Sequence, residues 1–324
     1  MTPLLSIAGI CVDLQSGGWL SPGGGARINI LSDISLDLAG GETLGLVGES
    51  GSGKTTLARA VLGLQPTSAG TIRFKGADLC GPADFHAIRR STALMFQDAA
   101  ASLSPRMTVG QAVIEPFAIH RESVADRRAK AAELLAEVGL PPEKAARFPH
   151  ELSGGQARRV GVARALALKP ALVIADEPTA GLDVSVQAEI LNLMADLKDR
   201  HGLSYLIITH NLALVRHVAD RIAVLYLGRL VETGPTRQIF AAPRHPYTRS
   251  LIAAEPKPDP RRRRRDLAIK GEIPSILRRP QGCEFHTRCP VAKDICRSAA
   301  PALQALGPGH SVRCHFPETH DKGG

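Results

Sequence analysis

The sequence predicts an α/β fold with a parallel sheet at its core. Short, wholly apolar runs such as residues 172–175 are typical of strands that are buried on both faces. Amphipathic stretches with helical spacing, such as residues 184–200, alternate with these runs. Because parallel strands need helical crossovers, the alternation favours a parallel sheet flanked by helices. With 324 residues and 44% apolar composition, the chain can form one large core, or a main domain with a small appendage.

The first eighty residues contain the most regular strand patterns. Residues 4–14 and 28–38 alternate apolar and polar side chains, which predicts two half-buried strands. The stretch between them, residues 16–25, is rich in Gly, Ser and Pro and predicts a surface loop. The elements expected next are a buried strand at 42–47, a glycine-rich turn, a helix at 55–64 and a strand at 70–75.

Helical patterns dominate the middle of the chain. Residues 108–140 are rich in Ala, Glu and Arg, and residues 153–168 form a second helical pattern. The elements expected after the apolar run at 172–175 are a helix at 184–200, a strand at 205–209, a helix at 212–219 and a strand pair at 221–227 and 229–233 around Gly228.

The chain changes character after residue 255. Three prolines and the five arginines Arg261–Arg265 predict a linker at residues 256–265. Residues 266–324 lose the strand–helix alternation and contain four of the six cysteines. We therefore expect a small C-terminal domain there.

The net charge of +9 is concentrated near Arg261–Arg265 and in the C-terminal quarter. We favour a solvated, flexible basic segment; contact with an anionic membrane surface or with nucleic acid is the alternative. Aromatic residues make up only 4% of the chain, so few are available to stack on bases. No apolar run reaches the roughly 20 residues that span a bilayer, and the N-terminus lacks a secretory pattern, so we expect a cytosolic chain.

A phosphate-binding loop is predicted directly after the strand at 42–47. The pattern G-x-x-x-x-G-K-S/T follows a strand and opens a helix, and this context separates it from a chance glycine-rich turn. The loop comprises Gly48, Glu49, Ser50, Gly51, Ser52, Gly53, Lys54 and Thr55, and Thr56 follows. Its backbone N–H groups and the helix N-terminus are expected to face the phosphates of ATP. Lys54 is expected to reach the β- and γ-phosphates, and the Thr55 hydroxyl to bind Mg²⁺.

An acidic pair ends the apolar run at 172–175. Asp176 is expected to hold Mg²⁺, directly or through water, and Glu177 to polarise the attacking water as a general base. The alternative is that the two carboxylates cap a following helix, since Pro178 and Thr179 come next. The phosphate loop upstream favours the catalytic interpretation.

Four further motifs lie in a fixed order around these two. Leu152-Ser153-Gly154-Gly155-Gln156 lies between the loop and the acidic pair. Gln97 follows the apolar stretch 93–96, Gly181-Leu182-Asp183 follows the acidic pair, and His210 follows the apolar run 206–208. With these motifs the sequence resembles the ATP-binding subunits of ABC transporters over roughly residues 1–255, where LSGGQ is the signature, Gln97 the Q-loop glutamine, Asp183 the D-loop aspartate and His210 the switch histidine.

The resemblance implies a fold with a P-loop (RecA-like) parallel-sheet core, an antiparallel β subdomain and an α-helical subdomain at about 98–165. It also implies that two subunits close head-to-tail on two ATP molecules. Ser153, Gly154, Gly155 and Gln156 would then contact the ATP bound to the partner's phosphate loop. Gln97 would sense Mg²⁺, and His210 would contact the γ-phosphate and orient the water. The family also carries an aromatic residue that stacks on adenine. Its position falls near Gly25, where none stands, and Trp19 is the nearest candidate.

Three segments resemble the oligopeptide/dipeptide/nickel importer branch, and slightly more its F-like subunit than the D-like one. They are residues 98–109, residues 234–248, and the stretch from Gly271 through Cys289-Pro290. The resemblance implies an ATPase at the cytoplasmic face of the inner membrane, with a homologous ATP-binding partner, two permeases and, indirectly, a solute-binding protein. Peptide is the first expectation for the solute and nickel or another small solute the second. Rival classes are a soluble ABC ATPase that acts on nucleic acid or in translation, and a non-catalytic partner with one degenerate site. The single cassette, and the presence of Lys54, Glu177 and His210, argue against them.

Four cysteines in the C-terminal region, Cys283, Cys289, Cys296 and Cys314, have the spacing C-x₅-C-x₆-C-x₁₇-C. Disulfides are not expected in a cytosolic chain. The gaps are wider than those of zinc knuckles and fit four thiolates around an iron–sulfur cluster better. The importer branch also implies a [4Fe-4S] cluster here. Four reduced thiols and a zinc site remain the alternatives, while Cys11 and Cys80 are interpreted as isolated thiols.

Overall fold

The computed structural model describes residues 2–16, 26–98, 101–255 and 271–318. Contacts divide the chain into two units. Unit 1 comprises Met1–Asp37, Leu44–Cys80 and Thr209–Gly324, and unit 2 comprises Leu38–Thr43 and Gly81–Ile208. Of the predicted loop at residues 16–25, Ser16 is the last residue of β1, and residues 17–25, with Trp19 and Gly25, lie outside the described residues. So do the linker at 256–265 and residues 266–270.

The described strands are β1 (Leu5–Ser16), β2 (Ala26–Leu38), β3 (Thr43–Val47), β4 (Ala69–Phe74), β5 (Ala77–Asp78), β6 (Thr92–Met95), β7 (Leu172–Asp176), β8 (Ser204–Thr209), β9 (Arg221–Tyr226), β10 (Arg229–Pro235), β11 (Gln304–Gly307) and β12 (His310–Val312). The described α-helices are α1 (Lys54–Val61), α2 (Pro82–Ser91), α3 (Val109–Ile119), α4 (Arg127–Glu137), α5 (Gly154–Leu166), α6 (Val184–His201), α7 (Leu212–Val218), α8 (Thr236–Ala241), α9 (Pro246–Ala254) and α10 (Asp294–Ser298).

Unit 1 contains an antiparallel sheet with the strand order β2-β1-β4-β5. Its alternating pattern has the expected consequence, since Leu5 and Ile7 of β1 are buried and lie opposite Phe74 and Ile72 of β4. A second sheet region of unit 1 has the order β11-β12-β10-β9-β3. In it β3 runs parallel to β9, and β10 pairs antiparallel with β9 and with β12. All five residues of β3 are buried. The predicted phosphate loop begins directly after its last residue, Val47.

The tight turn between β9 and β10 depends on Gly228. Its φ of 75° lies in the left-handed region, and a Cβ at this position would collide with the Ile30 carbonyl oxygen. Gly228 donates its N–H to the Ser52 carbonyl at 2.9 Å and accepts a bond from Ser32 N–H, also at 2.9 Å. The turn therefore joins the antiparallel sheet to the phosphate loop within unit 1.

Unit 2 contains three parallel strands in the order β8-β7-β6 and most of the helices. The residues of β7 are apolar and buried up to Ala175, as expected of a strand covered on both faces. Helices α3, α4 and α5 pack against one another. Ala112, Leu134 and Val160 are among the side chains that they bury. None of the described helices is both long enough and apolar enough to cross a membrane.

The predicted α/β class with parallel strands is confirmed, and the expected elements are present within a few residues of their predicted bounds. Residues 108–140, expected to be rich in helix, contain two helices that end at Ile119 and begin again at Arg127. The sequence patterns did not predict helix α2 or the strands β11 and β12. The last two are short, and β12 depends on pairing with β10 rather than on its own pattern.

Candidate functional site

The predicted phosphate loop connects β3 to α1 in unit 1. Gly53 precedes the helix with a φ of 102°, and a Cβ there would lie 2.6 Å from the Leu31 side chain, so only glycine fits. No described side chain caps α1 at this end, and its first turn carries no acidic residue. The helix N-terminus is therefore electropositive, as an anion-binding site requires.

Lys54 lies inside the loop that it belongs to. Its ammonium group donates to the carbonyl oxygens of Gly48 at 2.8 Å and Glu49 at 2.9 Å, and to Ser52 Oγ at 3.3 Å. The side chain is buried, as is Ser52, whereas Thr55 in the first turn of α1 is exposed. The Lys54 ammonium group is therefore enclosed by the loop, whereas Thr55 is accessible at the surface.

The acidic pair ends strand β7 in unit 2. Asp176 is the last residue of the strand and is half-buried. Glu177 has a φ of 49°, a left-handed conformation that is strained for a residue with a side chain. Its N–H donates to the Ile208 carbonyl at 2.8 Å, and its carbonyl accepts the Ala180 N–H at 3.1 Å. These two backbone bonds hold the unusual conformation.

Asp183 caps the helix that follows the acidic pair. Its carboxylate accepts the Val186 N–H at 2.9 Å and the Ser185 hydroxyl at 2.7 Å. The bond from Val186 is the main reason that the pKa of Asp183 is lowered. Because Asp183 occupies the N-cap of α6, the alternative interpretation of Asp176 and Glu177 as helix caps is wrong.

The LSGGQ motif forms the start of α5 in unit 2. The Ser153 hydroxyl accepts the Gln156 N–H at 3.3 Å, and the Gln156 side chain accepts the Ser153 N–H at 3.2 Å, which is a capping box. Ser153 and Gly154 are exposed at this end. A Cβ on Gly155 would lie 2.9 Å from the Val186 side chain, so the motif needs a small residue there to approach α6.

Gln97 and His210 both lie just beyond the end of a strand. Gln97 follows β6 and is exposed, and His210 follows β8 and is exposed. His210 and the phosphate loop belong to unit 1. Gln97, the acidic pair, the signature and Asp183 belong to unit 2.

Arg158 is a residue that the sequence analysis missed. It lies two residues after the signature, within α5, and is 4% exposed. Its guanidinium donates to the carbonyls of Phe96 at 3.1 Å, Gln97 at 2.9 Å and Ala180 at 3.0 Å. One side chain thereby joins the signature helix to the Q-loop and to the turn before Asp183. The only signal in the sequence was its place within the helical pattern after LSGGQ.

The four C-terminal cysteines line one small cavity in unit 1, together with residues that include His245 and Phe285. The cavity has a volume of about 10 Å³, room for about one water molecule. All four thiols are free of disulfides. Burial raises the pKa of Cys283 to about 12 and that of Cys314 to about 11. Among the described residues, no group of three or more His, Cys, Asp or Glu side chains is arranged to hold a metal ion. The four thiols converge on this cavity, which at its present volume has no room for an iron–sulfur cluster.

Two family models match the chain. The ABC transporter model matches residues 31–180, and the model of the oligopeptide/dipeptide transporter C-terminal region matches residues 231–296. A Brucella ovis protein that carries the name of a peptide import ATP-binding protein is 46% identical over 316 residues, 97% of this chain and 98% of that one. The oligopeptide transport ATP-binding protein AppF of Bacillus subtilis is 44% identical over 295 residues, 89% of this chain and 90% of that one.

Solved structures are similar as well. A dimeric ATP-binding cassette in a post-hydrolysis state with ADP and Pi is 27% identical, with a TM-score of 0.63, and the match covers 72% of this chain and 99% of that one. The cbiO1 subunit from Clostridium perfringens, part of the ABC transporter complex cbiONQ, is 27% identical with a TM-score of 0.65, covering 74% of this chain and 92% of that one.

The phosphate loop, the acidic pair and the signature helix, on an α/β fold similar to these cassettes, define an ABC-type ATPase. The chain belongs to the ABC transporter ATP-binding subunits, in their oligopeptide/dipeptide transporter branch. The family expected from the sequence is thereby confirmed.

We predict that Arg158→Met lowers the free energy of unfolding by about 3 kcal/mol, because three backbone carbonyls lose hydrogen bonds to a buried, charged donor. Chemical denaturation of the full chain measures this change. Arg159→Met is the matched control. Arg159 donates to Val138 at 2.8 Å and to the largely exposed Glu189 at 3.1 Å, and its removal should cost about 1 kcal/mol. Equal losses in the two variants would contradict the special role of Arg158.

Proposed function

We propose that this chain hydrolyses ATP to power an importer of di- or oligopeptides. The observation that carries the proposal is similarity along nearly the whole chain to proteins named for peptide import and oligopeptide transport. The match of residues 231–296 to the C-terminal region of oligopeptide/dipeptide transporters supports it, because that region lies outside residues 31–180, which the ABC transporter model matches.

At the phosphate loop, the backbone N–H groups and Lys54 bind the β- and γ-phosphates of ATP. In sites of this kind Mg²⁺ is held by one or two protein oxygens and by the substrate phosphates. Thr55, exposed in the first turn of α1, and the half-buried Asp176 offer such oxygens, and Gln97 is the third candidate ligand. When bound, the ion neutralises charge on the phosphate oxygens.

Glu177 polarises the water that attacks the γ-phosphorus in line, and ADP leaves. The left-handed backbone at Glu177, fixed by its bonds to Ile208 and Ala180, supports this role because strained conformations cluster at functional sites. His210 contacts the γ-phosphate and orients the water. Lys54 offsets the negative charge that develops on the phosphate.

The signature residues act on a second ATP. Ser153 and Gly154 are exposed at the N-terminus of α5, whose first turn has no acidic residue, and this supports binding of a γ-phosphate carried by a partner subunit. We propose a head-to-tail dimer with a homologous ATP-binding subunit, in which Gly155, Gln156 and Asp183 also face the partner. The dimer docks on two permeases at the cytoplasmic face of the membrane, and a solute-binding protein delivers the cargo.

We also propose that the chain is divided into three parts. Residues 1–255 form the nucleotide-binding domain with its helical subdomain at about 98–165, residues 256–265 a linker, and residues 266–324 the C-terminal domain.

We predict that Glu177→Gln retains Mg·ATP but hydrolyses it at least about 100-fold more slowly, because the amide cannot accept the proton. ATP binding and phosphate release by the assembled transporter measure the two effects. Glu189→Gln is the control, since Glu189 is a largely exposed carboxylate on the same stretch of chain, and it should keep wild-type turnover. Near-normal hydrolysis by Glu177→Gln would remove the general-base role.

The transporter assignment predicts which partners accompany the chain. A tagged full chain, extracted in mild detergent with Mg·ATP, should bring down a homologous ATP-binding chain and two permeases. Cells that carry only the Glu177→Gln allele should lose uptake of labelled dipeptides and oligopeptides and keep nickel uptake. Recovery of DNA or ribosomes in place of permeases would indicate a soluble ABC ATPase. Loss of nickel uptake alone would redirect the solute to nickel.

We further propose that the four C-terminal cysteines hold a [4Fe-4S] cluster. Two observations support this proposal: the four thiols converge on one cavity, and none of them forms a disulfide. A bound metal would deprotonate these thiols, which burial otherwise keeps neutral. Because the cavity has room for only about one water molecule, the thiols would have to move apart to accept the cluster.

Protein purified without oxygen tests the cluster. We expect iron, absorbance near roughly 400 nm, and loss of both in Cys289→Ser. Cys80→Ser, which removes an exposed cysteine outside the cavity, should keep both signals. Stoichiometric zinc would support the zinc alternative, and thiols that react with a maleimide in metal-free protein would support four reduced cysteines.

A further inference from the structure

An arginine from the cysteine-bearing segment forms an ion pair with a residue of the phosphate loop within unit 1. The guanidinium of Arg288 donates to both carboxylate oxygens of Glu49, from Nη1 at 2.7 Å and from Nη2 at 3.0 Å. The Arg288 side chain is 5% exposed and that of Glu49 21%. Glu49 is the second residue of the loop, and the two residues are 239 positions apart in sequence. This is a two-pronged ion pair that is largely removed from solvent.

A second contact reaches the same residue of the loop. The backbone N–H of Glu49 donates to the Tyr247 hydroxyl at 3.0 Å. Tyr247 is buried and packs 4.6 Å from the Tyr226 ring and 5.3 Å from the Phe285 ring, centroid to centroid. The Arg288 guanidinium lies 5.9 Å from the Tyr226 ring centroid. The backbone of Glu49 is therefore bonded to a residue of this aromatic cluster, and its side chain is bonded to an arginine that lies near the same cluster.

We propose that Arg288 is a positioning residue for the ATP site, which holds the phosphate loop in its binding conformation and neutralises the Glu49 carboxylate. The proposal rests on the assignment of residues 48–55 as the ATP phosphate site. A loop that binds a highly charged anion gains nothing from an unpaired carboxylate at its second position. With Arg288 in place, the charge is balanced and the loop is ordered before ATP arrives, so less freedom is lost on binding.

The position of Arg288 in the sequence connects the phosphate loop with the cysteine segment. Arg288 lies between Cys283 and Cys289, and its N–H donates to the Phe285 carbonyl at 2.9 Å. The backbone N–H of Cys283 donates a hydrogen bond to the Cys296 carbonyl at 2.8 Å. The short turn that carries Arg288 thus lies between two cysteines that line the cavity. The C-terminal segment completes the surroundings of the phosphate loop.

The test is a double-mutant cycle on the Kd of Mg·ATP, measured by calorimetry on the full chain. Arg288→Met should raise the Kd about tenfold in the wild-type background and less than about twofold when Glu49→Gln is already present. Arg288→Lys, which keeps the charge and loses the two-pronged contact, should fall between. Tyr247→Phe should raise the Kd a few-fold, because it removes only the acceptor for Glu49 N–H. Melting without nucleotide verifies that each variant is folded.

The matched control is a second arginine of the same segment. Arg313 is buried to a similar degree and donates to Asp33 at 2.9 Å, which is not a residue of the loop. Arg313→Met, alone or with Asp33→Asn, should lower the melting temperature and leave the Kd within about twofold of wild type. This control separates general anchoring of the segment from an effect on the loop.

Two results would overturn the positioning role. One is a Kd within twofold of wild type for a folded Arg288→Met, or for Arg288→Lys if the methionine variant does not fold. The other is a tenfold loss that persists unchanged in the Glu49→Gln background. Lys54→Ala keeps the two proposals apart. Full ATP affinity in Lys54→Ala would remove the assignment of the loop itself, whereas loss of binding there without coupling between Arg288 and Glu49 would remove the positioning role alone.

Discussion

Complete burial of the central strands is the constraint on which the rest of this structure depends. Every residue of β3 and of β8 is buried, and β7 is buried up to its last residue. A charged side chain within such a strand would lose its hydration without compensation. Polar chemistry is therefore confined to the points where strands end. Gly48 begins the phosphate loop after β3, Asp176 ends β7 with Glu177 directly after it, and His210 follows β8. Ligand sites at the carboxyl ends of parallel strands follow from this requirement.

Helices α1 and α5 both begin at functional motifs, but they differ in how the unpaired N–H groups of their first turns are capped. Both α1 and α5 lack acidic residues in the first turn, so each keeps a positive N-terminus. Helix α5 satisfies part of its own end through the capping box of Ser153 and Gln156, which fixes the exposed serine in one geometry. Helix α1 has no side-chain cap among the described residues, and Lys54 bonds to the loop carbonyls. One end is built as a rigid, exposed donor surface and the other as an enclosed loop.

The parts of the site that are local in sequence were predictable. The phosphate loop, the acidic pair and LSGGQ are contiguous, and each is placed by the strand or helix beside it, so periodicity and motif spacing were sufficient. Long-range contacts carry no such signal. Arg158 and Arg288 reach residues 61 and 239 positions away, and nothing in a chain with 40 basic residues separates these two from the others. The left-handed backbone of Glu177 was unpredictable for the same reason, since its N–H is bonded to the end of a neighbouring strand.

For the same reason, the short elements of the C-terminal segment could not be predicted from sequence patterns. It has few elements of its own, and arginines join it to the rest of unit 1: Arg313 donates to Asp33 and to the Leu230 carbonyl, and Arg279 donates to the Asn29 carbonyl. Arg288 differs from these anchors because its partner lies inside the phosphate loop. A carboxylate in an anion-binding loop is unfavourable unless a cation is held against it. That cation comes from a turn bounded by two cysteines, so the conformation of the cysteine cavity and the charge of the loop are physically linked. The segment that looked like an appendage in the sequence therefore contributes to the electrostatics of the loop with which the cassette binds its nucleotide.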